Sequence, residues 1–223
     1  DQRLSTRVPE RLTWEEAAAI PVVFNVTHDM LWAQGRLQAG EWLLVTGISS
    51  GVGVACLQAA GLIGARVIGT SGSSAKLDRL KSLGLEVAIQ TRSPDFSAAV
   101  LAATGGKGAD LVVNNVGGGV FAECVKCMAY RGRLATVGYL DRIFRAEIDL
   151  NALHAKRLHL FGVSARYRPI PERAESLRNF QRDLLPAFAD GRIRPLIDKV
   201  FRLDQMLEAK AFMDSSRQVG KIV

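Results

Sequence analysis

The segment Thr46-Gly47-Ile48-Ser49-Ser50-Gly51-Val52-Gly53 constrains the fold of this chain more than any other. It follows an apolar run, Trp42 to Val45, and opens another, Val52 to Ile63, so it reads as a turn between a strand and a helix. Glycines at 47, 51 and 53 permit a tight turn and a close approach of the backbone to a ligand. The first N–H groups of the helix then face outward without partners, and the helix dipole favours an anion in front of them. Such a turn suits a pyrophosphate, and it predicts a dinucleotide site with Ser49, Ser50, Gly51 and Val52 among its contacts. A strand-to-helix turn with no ligand is the alternative.

The same alternation continues along the chain. Trp42 to Thr46, Arg66 to Thr70, Glu86 to Ile89, Asp110 to Asn114, Arg133 to Val137 and Leu158 to Val163 are expected strands. Helices are expected over Val52 to Ile63, Ser74 to Leu83 and Phe121 to Tyr130, each ending shortly before a glycine at 64, 84 or 132. Near-continuous apolar strands such as Leu111-Val112-Val113 suit a parallel sheet with helices on both faces. The expected fold is therefore α/β, a Rossmann-type doubly wound six-stranded parallel sheet over residues 22–165. At 223 residues and 48% hydrophobic, the chain is large enough for such a core. Beyond it, a stretch from Arg166 to Arg173 leads into a helix expected from Glu172 to Asp190. Two short runs, Lys199-Val200-Phe201 and Lys221-Ile222-Val223, have no place in the sheet.

Composition excludes several classes. No stretch of about 18 apolar residues occurs and the first residues lack a signal-peptide pattern, so a soluble, cytoplasmic protein without membrane partners is expected. The net charge of +7 is dispersed from Arg131 to Arg168 and not gathered in one run, which argues against a nucleic-acid partner. Part of it can attract a phosphate-bearing cofactor. Cys56, Cys124 and Cys127 cannot build a disulfide framework or a zinc site, and Cys124 and Cys127 are expected on one buried helix face. His28, His154 and His159 are scattered and expected at the surface or at helix ends, so no metal is expected and no catalytic acid or base is assigned.

A site selective for NAD places an acidic residue about 20 residues beyond the turn, at the end of the second strand. Here that stretch reads Gly69-Thr70-Ser71-Gly72-Ser73-Ser74-Ala75-Lys76, and no carboxylate appears until Asp78. Hydroxyls and a lysine suit a 2′-phosphate, so NADP(H) is the expected cofactor with Ser71, Ser73 and Lys76 around it. Ser73 and Ser74 are equally suited to capping the next helix, whereas a cation at Lys76 opposes the dipole of its own helix. The ends of the fourth and fifth strands, Asn114-Asn115-Val116-Gly117 and Gly138-Tyr139-Leu140, should line the nicotinamide side. Asn115 is a candidate ribose or nicotinamide contact, Gly138, Tyr139 and Leu140 are candidate wall residues, and Phe161 and Val163 complete the expected contacts.

Taken alone, the glycine motif with Asn114-Asn115-x-Gly117 also resembles the short-chain dehydrogenases. Those enzymes need a Tyr-x-x-x-Lys pair, and none of Tyr130, Tyr139 or Tyr167 has a lysine four residues later. A fuller set of motifs resembles the zinc-independent quinone oxidoreductase branch of the medium-chain dehydrogenase/reductase superfamily. It comprises Val8-Pro9-Glu10, Glu16-Ala17-Ala18-Ala19-Ile20-Pro21, Leu37-Gln38-Ala39-Gly40-Glu41, Ala65-Arg66-Val67-Ile68, Asn115-Val116-Gly117-Gly118, Gly132-Arg133-Leu134 and the closing Gly220-Lys221-Ile222-Val223. The segment from Asn179 to Ile197 is similar to the p53-inducible quinone oxidoreductase group within that branch.

The resemblance implies an enzyme that passes hydride from NADPH to a quinone or an α,β-unsaturated carbonyl without metal, as a homodimer paired along an edge strand. It also implies a GroES-like substrate domain, to which residues 1–21 and 166–223 would belong or lead, and of which the chain holds only part. At the family's nicotinamide-contact threonine this chain has Val26, with Thr27 displaced by one; Thr27 or Asn25 is expected to take that role, unless Thr27 caps a helix from Asp29 to Gln34. At the family's adenine-ribose-phosphate tyrosine stands Thr91, with Arg92 beside it. A nucleotide-binding regulatory or sensor protein without turnover is the alternative function.

Overall fold

A computed structural model describes all residues from Asp1 to Val223. Six parallel strands, β1 (Trp42–Val45), β2 (Arg66–Ser71), β3 (Val87–Gln90), β4 (Ala109–Asn114), β5 (Met128–Thr136) and β6 (His159–Gly162), form one sheet in the order β3-β2-β1-β4-β5-β6. Before it stand helices α1 (Trp14–Ala19) and α2 (Val23–His28), the latter running on into a π-helical stretch, Asp29–Gln34. The crossovers carry α3 (Gly51–Ile63), α4 (Ser74–Lys81), α5 (Ser97–Ala103), α6 (Phe121–Lys126) and α7 (Leu150–Ala155). After β6 come α8 (Ile170–Asp183), α9 (Leu185–Asp190), β7 (Ile197–Lys199), α10 (Met206–Asp214) and β8 (Lys221–Ile222). No helix is long and apolar enough to cross a membrane.

All six expected strands are present, and the doubly wound α/β fold is as the periodicity predicts. Two buried clusters cover the two faces of the sheet. Leu43 and Val45 of β1 face the larger one, with α2 and α3, while Trp42 and Leu44 face the other, with α5 and α6. The side-chain period of two in a strand produces this division. Two differences from the sequence reading have physical causes. The helix expected from Phe121 to Tyr130 stops at Lys126, because Met128 and Ala129 are buried and the strand starts there, Met128 pairing with Ala109. The helix expected from Glu172 to Asp190 is broken at Leu184, two residues before Pro186, whose ring supplies no N–H to the helical ladder. Beyond residue 165, Phe180, Leu184, Phe188 and Ile193 pack into the core that covers one face of the sheet. The two leftover runs form a separate parallel pair, β7 with β8, flanked by the exposed Leu203, Met206 and Leu207.

His28 is a further correction: it ends α2 but is buried, whereas His154 and His159 are exposed. Its Nε2 lies 2.8 Å from Asp183 Oδ2, and its ring stacks on Trp32. The hydrogen bond from Arg182, with a second from His28, holds the Asp183 carboxyl below the usual carboxylate range. A carboxylate with a depressed folded pKa stabilises fully above its unfolded value, near 3.9, and that contribution is lost as pH falls through the folded value. Asp183→Asn is therefore expected to cost about 1–3 kcal/mol at neutral pH, with the deficit shrinking below about pH 4. Urea melts near pH 7 and pH 2.5 check this, and an equal deficit at both would refute it.

Candidate functional site

The sheet order reverses between β1 and β4, and a crevice opens at the carboxyl ends of strands flanking such a point. The turn after β1 lies there. Gly47 has φ of +63°, and its N–H donates to Thr70 Oγ1 at 3.3 Å while Ile48 N–H donates to Thr70 O at 3.0 Å, tying the turn to the end of β2. Asn115 N–H donates to Thr46 Oγ1 at 3.0 Å, tying it to β4. Ser50 caps α3 by accepting from Gly53 N–H at 3.1 Å. At Gly53 there is no room for a Cβ, because the Ile48 backbone fills that space. The Val52 N–H has no backbone acceptor, and the parallel bridge between Ser50 and Gly220 sets Gly220 O beside Gly51.

Asn115 binds the turn from its other side. Its Nδ2 donates to Ser50 Oγ at 2.5 Å, and its Oδ1 lies so near Gly138 that a Cβ there would come within 2.6 Å. Ser50 Oγ thus accepts two hydrogen bonds, and its own proton is left to donate outward. The start of α3 and the Ser50 hydroxyl form a cradle that fits a pyrophosphate. Sequence reasoning missed one neighbour, Lys221, whose aliphatic stem covers Gly51 at 2.8 Å from a hypothetical Cβ. Gly220 N–H donates to Ser49 O at 2.9 Å and holds it there.

The hydroxyls expected around a 2′-phosphate come together at the end of β2. Ser49 Oγ is 3.5 Å from Ser71 Oγ, and Ser73 N–H points to Ser71 Oγ at 3.4 Å. Ser73 also caps α4, accepting from Lys76 N–H at 3.4 Å. Lys76 is engaged otherwise than the sequence suggests: its ammonium donates to the carbonyls of Ser216 and Gln218, the latter at 3.0 Å. Burial, with Arg79 and Arg92 adding to it and Asp198 opposing, holds this ammonium below the usual lysine range. Arg92 is the second residue that sequence reasoning left out of the site. Its side chain folds over Gly72, where a Cβ would lie 2.9 Å from Nε. Arg92 stands just past β3, whose Gln90 is in register with Ser71, and only this register brings it beside β2.

Beyond β4 and β5, a recess of about 340 Å³ is lined by Asn114, Thr136, Tyr139, Ile143, Phe144 and Leu160 among others. Tyr139 and Leu140 are exposed, Tyr139 packing on Phe144 with ring centres 5.0 Å apart. Leu140 also reaches toward Gly47. Three expected contacts are not brought here. Thr27 caps no helix and faces no groove: it lies inside α2, fully buried, with Oγ1 3.7 Å from Cys56 Sγ. Val163 is packed in the core with its N–H on Thr136 O, and Phe161 lies half-buried against the same core. Asn25 accepts from Ser176 Oγ at 3.3 Å, and with Val26 it lines a second, largely apolar recess of about 380 Å³ between α1, α2 and α8.

The three cysteines are free and buried, Cys127 standing one residue past α6 with its Sγ 3.3 Å from Cys124 O. Burial pushes the Cys56 and Cys127 thiols up to about 12. No thiol should react with an aromatic disulfide reagent in the native protein near pH 8, while the denatured chain should titrate as three. Rapid native labelling would refute this.

Residues 51–181 match the family model described as zinc-binding dehydrogenase. The chain is 32% identical over 217 residues to a phenolphthiocerol/phthiocerol polyketide synthase of Mycobacterium tuberculosis, a match covering 97% of this chain and 10% of that protein. It is 28% identical over 228 residues to quinone oxidoreductase-like protein 2 of Bos taurus, covering 100% of this chain and 64% of that one. Among solved structures, an NAD-dependent alcohol dehydrogenase superposes with a TM-score of 0.85 at 32% identity, over 97% of this chain and 60% of the other. A mycobacterial protein in complex with NADPH superposes with a TM-score of 0.88 at 25% identity, over 99% and 67%. The chain thus spans a tenth of the first relative's length and less than two thirds of the second's. No three His, Cys, Asp or Glu side chains of these residues gather as a metal would require, so the donor set does not fit zinc.

Proposed function

We propose, from the premise that this chain belongs to the zinc-binding dehydrogenase family and so to the medium-chain dehydrogenase/reductase superfamily, that it is the cofactor-binding part of an NADPH-dependent oxidoreductase acting on a quinone or an α,β-unsaturated carbonyl. The observation that carries this reading is the pair of adjoining anion sites. One is the cradle of Gly51, Val52 and Ser50; the other is the hydroxyl and cation cluster of Ser49, Ser71, Ser73, Lys76 and Arg92. On this reading the first would take the pyrophosphate and the second the 2′-phosphate of one dinucleotide. Asp198, whose charge bears on Lys76, is paired with Arg79 at 2.8 Å.

When bound, the nicotinamide supplies the hydride. The residues of this chain position and exclude water. Gly51, Val52 and Ser50 would hold the pyrophosphate, Asn115 fixes the Ser50 hydroxyl from behind, and Arg92 and Lys76 would face the 2′-phosphate. Tyr139, Leu140 and Phe144 form an apolar wall on the nicotinamide side, which suits a near-attack arrangement of two uncharged reacting carbons. The proposal extends to residues 22–165 as the cofactor unit, with the flanking segments leading to a substrate domain, and to a soluble, cytoplasmic homodimer paired along β6, which lies at one end of the sheet.

Calorimetric titration with NADPH and NADH tests the cofactor. Wild type should prefer NADPH, and Arg92→Ala and Lys76→Ala should each weaken NADPH by about 1–3 kcal/mol while leaving NADH nearly unchanged. Equal affinities in wild type would defeat the assignment. NADPH oxidation with a panel of quinones and enones, using the complete protein that carries this chain, tests the reaction. Tight NADPH binding with no oxidation by any acceptor would favour a nucleotide sensor.

A further inference from the structure

Four arginines meet at the end of the sheet opposite the dinucleotide turn. Gln34, Arg36, Arg131, Arg133, Arg157 and His159 line a recess of about 580 Å³ at the start of β6, where His159 is in register with Arg133 of β5. Arg133 is held by Glu41 in a two-pronged pair at 3.1 and 2.6 Å, and its Nε is buried without an acceptor. Arg36, Arg131 and Arg157 have no carboxylate partner, so three guanidinium charges stand in excess around one recess. Like charges so gathered repel one another and add nothing to the fold's stability.

The backbone carries a second cost at the same three residues. Arg36, Arg131 and Arg157 have φ of 47°, 60° and 52°, and they are three of the six non-glycine residues with positive φ. Glycine or asparagine adopts this left-handed conformation more readily, by roughly 1 kcal/mol over a residue such as arginine. Charge repulsion and backbone strain therefore coincide at one place, and strain concentrated in this way marks a functional site. The guanidinium fork matches the oxygens of phosphate groups and remains charged at any physiological pH. Because the cluster is confined to one recess and does not form a stripe, it fits a compact polyanion better than a nucleic-acid strand.

We propose that this recess binds a small molecule bearing two or more phosphate groups, independently of the dinucleotide. The recess shares no residue with the cofactor turn, which follows the carboxyl end of β1, whereas the recess lies at the amino end of β6.

The test exploits the unusual backbone. Changing Arg36, Arg131 and Arg157 together to glycine removes the charge and suits the local φ, so this variant should melt at or above the wild-type temperature. Tripolyphosphate titrated into the wild type should bind saturably and raise its melting temperature. Binding should fall at least about tenfold in the triple glycine variant and remain unchanged in Arg92→Ala. Should the triple variant not fold, Arg131→Gly and Arg157→Gly singly should each weaken binding by about threefold or more. Absence of saturable binding in wild type would overturn the proposal. So would undiminished binding in the glycine variants, or a loss confined to Arg92→Ala, which would locate the anion in the cofactor crevice.

Discussion

Gly53→Ala is expected to lose dinucleotide binding by at least about tenfold and to destabilise the fold by about 1–3 kcal/mol. The added methyl has no place to go. It would enter the backbone of Ile48, whose own side chain is fully buried and whose N–H is fixed on Thr70 O. Relief requires the turn to move off β2 or the start of α3 to tilt, and either shift spoils the alignment of the Gly51 and Val52 N–H groups. Calorimetry with NADPH and thermal melting of the same sample measure both effects. A variant with wild-type affinity would show that the close approach at Gly53 is unrelated to the ligand.

The second large effect concerns the core. Phe188 on α9 is fully buried, meeting Phe24 of α2 edge-on at 4.8 Å between ring centres and Phe180 of α8 at 6.3 Å. Phe188→Ala should cost about 3–5 kcal/mol, through lost transfer energy and the cavity left where three helices meet. At roughly 2–4 °C per kcal/mol for a chain of this size, the melting temperature should fall by about 10 °C. A fall under about 3 °C would mean that α9 is only loosely joined to the sheet's core.

The fold was legible because strands and helices here differ so plainly in period. Leu111-Val112-Val113 has no helical spacing to compete with its β-branched run, and the left-handed Gly64 closes α3 where a C-terminal glycine should. What misled was local propensity without tertiary context. The stretch from Phe121 to Tyr130 suits a helix, yet Met128 and Ala129 gain more by pairing in the sheet.

The site was legible in its main-chain part and less so in its side chains. The turn at residues 46–53 carries its geometry in glycine spacing, which a sequence displays directly. Thr27 was ambiguous because neighbouring positions on α2 face opposite surroundings, Val26 toward an open recess and Thr27 toward Cys56. Arg92 and Lys221 reach Gly72 and Gly51, beside the proposed phosphate sites, from the ends of β3 and β8, and nothing local in their sequence reveals which strand end lies beside which.

Lys76 differs from an ordinary surface lysine because two carbonyls of the chain's final loop already fix its ammonium. A free lysine side chain gives up roughly 2 kcal/mol of rotamer entropy when it closes on an anion. Here that freedom is surrendered when the chain folds, and one N–H remains to point at an incoming oxygen. On the proposed reading, the loop through Ser216 and Gln218 sets Lys76 in place before any ligand arrives, so residues remote from the turn would help to set its affinity.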